Sequence, residues 1–150
     1  MLIGRGSLLV AGALTIFAVT AGSAAFDAAD AADRLIRRCS AEGPGDISMA
    51  AKYERRDGGR KKFSIEMEAA PGGVFAAGQK VVFFVSGKRV GNDKLQTVVG
   101  GDLVGELNLD TEAGPGDDED PFPANFPPVS KGTKVRIKSG GDVVLACSLR

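Results

Sequence analysis

The chain has 150 residues, with 19 Lys and Arg balanced by 19 Asp and Glu, two cysteines, no tryptophan and no histidine. Without histidine, Ser-His-Asp and Cys-His catalysis, histidine-ligated zinc or copper, and the usual general base near neutral pH are all excluded. A balanced charge gives no overall attraction for nucleic acid, so nucleic acid is not an expected partner.

The first 25 residues read as a signal peptide. Arg5 supplies a positive start, Gly6 to Thr20 is uncharged and apolar, and Ser23 and Ala25 satisfy the small-x-small rule for cleavage after Ala25. There is no cysteine at that point for lipid attachment. The expected product is exported, periplasmic or extracellular, bacterial, and without a stable membrane span after cleavage. Residues 26–38 (FDAADAADRLIRR) carry Asp early and Arg late, an order that suits a short helix or an irregular lead-in. Residues 39–150 are then expected to form one domain with its own core.

Beyond Cys39 the apolar period becomes two. Ile47, Met49, Ala51 and Tyr53 alternate with polar residues, as do Phe63, Ile65 and Met67, and Asp57-Gly58-Gly59-Arg60 between them reads as a hairpin turn. Gln79 to Ser86 (QKVVFFVS) is apolar on both sides and predicts a central strand covered on both faces. Gly87-Lys88 turns it, and Arg89-Val90 begins a return. Leu95 to Val99 is a short strand candidate and Leu103 to Asp110 a longer one. Thr133 to Lys138 and Asp142 to Leu149 flank Ser139-Gly140-Gly141 as a second hairpin, with Val143, Leu145, Cys147 and Leu149 on one face.

About seven strands with frequent turns predict an all-β fold, a small antiparallel β-sandwich, Ig-like or a related Greek key. Lys131 to Lys138 (KGTKVRIK) resembles the last strand of an antibody light-chain variable domain. The Cys…Trp…Cys core of that family is absent, so the octapeptide carries no family assignment. In an exported chain Cys39 and Cys147 are expected to form a disulfide, and their separation does not suit a redox pair.

Two charged regions remain. Residues 110–120 hold Asp110, Glu112, Asp117, Asp118, Glu119 and Asp120 and no base, and a proline run with Phe122 and Phe126 follows. The expectation is a solvated loop tied down by the two phenylalanines, its prolines shielding a sheet edge. The alternative is a calcium-dependent binding module using the acids, although the EF-hand order is missing. Residues 52–62 (KYERRDGGRKK) form a basic hairpin, a solvated tip or a surface for an anionic envelope component or an acidic protein. This segregation of charge would let copies associate, or let the loop fold back over its own hairpin.

The function expected is an exported, non-enzymatic binding or structural module of the cell envelope or extracellular space, with no cofactor. A carboxylate-based hydrolase is the second alternative, since carboxylate pairs hydrolyse glycosides.

Overall fold

The computed structural model describes residues 34–150. The expected signal peptide and most of the lead-in lie outside the described residues. Ten strands and a single 3-10 turn (Asp57–Gly59) make up the ordered elements, with no α-helix among the described residues.

The hairpin of β2 (Ile47–Arg55) and β3 (Lys61–Ala69) is the centre of the larger sheet. Its inner row pairs Met49 with Met67, Ala51 with Ile65 and Tyr53 with Phe63, all buried. Gly58 and Gly59 both have positive φ (74° and 86°), which explains why the turn uses two glycines. β1 (Leu35–Gly43) pairs antiparallel with β2. It takes in Leu35 to Arg38, which the sequence reading placed in a helical or irregular lead-in. Its inner row includes Arg37 and Gly43, so the apolar alternation that marks the other strands is broken. On the other side of β3 lies β7 (Leu103–Asp110), which carries two short partners: β6 (Gln96–Thr97), and β8 (Asp120–Pro121) in parallel.

The smaller sheet has the order β10 (Asp142–Ser148), β9 (Lys134–Ser139), β4 (Lys80–Val85), β5 (Lys88–Lys94). Val81, Phe83 and Val85 of β4 are fully buried against the larger sheet. The expected cover on the outer face of β4 is only partial. Val82 and Phe84 are half-buried, and the Lys138 ammonium lies 5.3 Å from the Phe84 ring centroid. A lysine stem and a cation–π contact stand where a further layer was expected.

Two other expectations shift. The strand expected at Leu95 to Val99 is reduced to Gln96–Thr97, because Val98 and Val99 form the turn before β7 and Val99 is fully exposed (103%). Val143 does not share the inner face of Leu145, because a β-bulge lies between the two and leaves Val143 49% exposed.

The two sheets pack face to face in a sandwich, and both seams between them are bridged. At one seam Arg38 N–H donates to the Arg150 carbonyl (3.2 Å) and Arg150 N–H to the Arg38 carbonyl (3.0 Å), and the disulfide Cys39–Cys147 crosses beside them. At the other, Glu106 N–H donates to the Asp93 carboxylate (3.0 Å). There Gly91 lies so close to Leu107 that any side chain would collide with it.

Candidate binding groove on the outer sheet face

Because the larger sheet is antiparallel and in register, its outward side chains form cross-strand rows. From β1 to β7 one row is Glu42, Ser48, Glu68, Val104, and the next is Ser40, Ala50, Glu66, Glu106. The third is Arg38, Lys52, Ser64, Asn108, and the fourth Ile36, Glu54, Lys62, Asp110. Acid, base and small polar residues are thus sorted across one exposed surface.

The fourth row is closed by ion pairs. Glu54 is 1% exposed and receives Lys52 (2.9 Å), Arg56 (2.6 Å) and Arg34 (2.9 Å). Hydrogen bonds from Lys52 and Arg56 hold its carboxyl down at about 2, against the opposing effect of burial. Asp110 is 0% exposed and accepts from Arg60 Nε (3.1 Å), Lys62 Nζ (3.1 Å) and the Glu112 N–H (2.9 Å). The Arg60 guanidinium foremost keeps that carboxyl far below the usual carboxylate range. Arg60 also reaches Glu112 (3.2 Å) and Lys62 reaches Glu119 (2.6 Å), so the acidic loop folds back over the basic hairpin.

This changes both charged regions. Lys52, Arg56, Arg60 and Lys62 are engaged internally, which leaves Arg55 and Lys61 as the hairpin cations outside these pairs. The hairpin is therefore not the open basic surface expected for an anionic envelope component or an acidic protein. Within the loop, Asp110, Glu112 and Glu119 turn to these bases, and Asp117 accepts the Gly114 N–H (2.7 Å) as a local turn. The loop is mostly exposed, as expected, and is tethered at Glu112 and Glu119 besides the two phenylalanines. Among the described residues no three His, Cys, Asp or Glu side chains gather to hold a metal ion. Phe122 and Phe126 pack edge to face (4.7 Å), and Phe126 meets Phe63 of the core (5.4 Å).

The third and second rows stay open. They floor a groove of about 910 Å³ that runs from the disulfide seam to β7. Arg150, Arg38 and Lys52 lie toward the β1 end of the third row and Glu66 and Glu106 toward the β7 end of the second, with Ser40, Ala50 and Ser64 filling the other positions. The short side chains make the hollow, and the long charged ones border it. Cys39 and Cys147 meet as expected and line the seam end of the groove.

Sequence reading missed Arg38, Arg150, Glu66 and Glu106 as a group. The outward positions of Glu66 and Glu106 were readable from alternation, but Arg38 fell in the expected lead-in, Arg150 lies beyond the last strand, and the pairing that collects the four was not readable. Comparison with protein-family models, with curated proteins and with solved structures finds no match for this chain.

Proposed function

We propose that this protein is an exported, non-enzymatic binding module whose ligand lies in the groove on the outer face of the larger sheet. The observation that carries the reading is the lining: bases toward the β1 seam, acids toward β7 and short side chains among them, on an antiparallel sheet. Such a surface recognises a polar ligand by charge and hydrogen bonding, with little ordering needed in the protein. The return of β7 beside β3 and of β9 beside β4, each after a visit to the opposite sheet, supports grouping with Greek-key sandwiches.

The hydrolase reading has one observation in its favour. Glu66 and Glu106 are directly opposed on β3 and β7, close enough for a carboxylate pair. Against it, both side chains are exposed and the groove lining contains no aromatic ring to hold a sugar. Binding is favoured over hydrolysis for that reason. A calcium-dependent module using residues 110–120 is disfavoured by the ion pairs that already occupy three of the acids.

The test is photo-crosslinking in the exporting cell, with a photoreactive residue at Ser64 or Ala50 on the groove floor and a control at Asn92 of β5. Adducts specific to the floor positions are expected. Equal labelling at Asn92, or none at the floor, would refute the groove as the ligand face.

A further inference from the structure

Arg38 and Arg150 exchange two backbone hydrogen bonds, so they are a hydrogen-bonded antiparallel pair whose side chains rise on the same side. That side is the groove, which both residues line. Next in the row, directly opposite Arg38, is Lys52, whose ammonium is already bound to Glu54 (2.9 Å). Two arginines thus share the seam end of the groove, one of them opposite Lys52. Like charges opposite one another are destabilising unless something compensates them.

In the neighbouring fourth row the buried carboxylates are compensated by bases. Glu54 and Asp110 each receive at least two bases, and four of the hairpin cations have carboxylate partners. Among the described residues neither Arg38 nor Arg150 is in an ion pair. The pair is also fixed in place, because the Cys39–Cys147 bridge ties the same two segments together immediately alongside.

We propose that Arg38 and Arg150 form a preorganised clamp for an oxyanion, the phosphate or carboxylate group of the ligand that lies in the groove. The inference rests on the groove being the ligand face and names the chemistry of one end of that ligand. Guanidinium forks match the planar, bidentate geometry of these groups, and a backbone held rigid lowers the ordering that binding requires. Glu66 and Glu106 toward β7 restrict the negative charge to the arginine end. A ligand anionic along its whole length is disfavoured, and one with hydroxyl or ammonium groups beyond the oxyanion is favoured.

The experiment is calorimetric titration of the oxidised protein with inorganic pyrophosphate and, separately, with citrate, against sodium chloride of equal ionic strength. Saturable binding of pyrophosphate alone assigns phosphate, and of citrate alone carboxylate; binding of both assigns the shared oxyanion. In each case Arg38→Gln and Arg150→Gln should weaken binding about tenfold or more, as loss of a charge-assisted hydrogen bond requires. Arg38→Lys, which keeps the charge and loses the fork, should fall between wild type and Arg38→Gln. Both side chains are exposed, so the unliganded variants should melt with wild type, which separates a lost clamp from a lost fold. Absence of saturable binding, or binding that both glutamine variants retain, would overturn the clamp. Oxyanion binding through these arginines without crosslinks at Ser64 or Ala50 would instead remove the groove reading and leave the clamp standing.

Discussion

Asp110 shows how a residue's role departs from its composition. In the sequence it opens a run of acids; in the fold it is a buried carboxylate held by Arg60 and Lys62 from the neighbouring strand. Removing a partner from a buried charge is far more damaging than removing an exposed charge. Arg60→Gln is therefore expected to lower stability clearly, although Lys62 still holds part of the Asp110 charge. Arg55→Glu, at an exposed position outside these pairs, should change stability by less than about 0.5 kcal/mol. Denaturant unfolding of the two variants checks the contrast, and equal small effects would mean that the hairpin is solvated after all. The same residues set the acid limb. Glu54 falls from an ordinary 4.5 to about 2 and Asp110 is depressed further, so their contribution is fully present above the unfolded value. It is lost as pH drops from about 4.5 through 2. Glu54→Gln should flatten the stability profile across that window; an unchanged slope would rule out Glu54 as a source of acid sensitivity.

At the level of elements, the long connection between β7 and β9 is held by two kinds of contact. Ion pairs fasten its acidic start, and Phe122 and Phe126 fasten its proline-rich middle against Phe63. Phe126 is only half-buried, so Phe126→Ala is expected to cost about 2 kcal/mol, below the 3–5 typical of a fully buried ring. Limited proteolysis should then open residues 111–133 before the sheets, and resistance equal to wild type would show that the ion pairs alone suffice. β2, β3 and β7, whose inner rows are built on large apolar residues with Gly105 as the one gap, were legible in the sequence almost to the residue. β1 was not, because Arg37 and Gly43 occupy its inner row and Ala and Arg precede it. The bulge at Val143 and the turn at Val98 and Val99 were likewise hidden, since alternation carries no signal for a register slip. The ion pairs were out of reach for a different reason: Arg60 and Asp110 lie 50 positions apart, and only the β3–β7 pairing brings them together.

The whole molecule is a sandwich with bridged seams, one of them reinforced by a disulfide that closes 108 positions of chain. In the chain-entropy description such a loop closure is worth about 4–5 kcal/mol. The stapled seam is also where the proposed ligand face begins, so the same crosslink that stabilises the fold holds Arg38 beside Arg150. The charge that composition shows as balanced is in fact spatially sorted. Four hairpin cations are paired, Lys52 and Arg56 with Glu54 and Arg60 and Lys62 with the acidic loop, while the groove keeps charges of either sign at its two ends. The central claim is that the groove, not the hairpin, meets the ligand. Amide NMR shifts on titration with pyrophosphate and with citrate test it most directly. The account predicts saturable shifts at Arg38 to Ser40, Ser64 to Glu66 and Ser148 to Arg150, with Arg55 to Lys62 silent. Shifts confined to Arg55 and Lys61, with the groove silent, would contradict it.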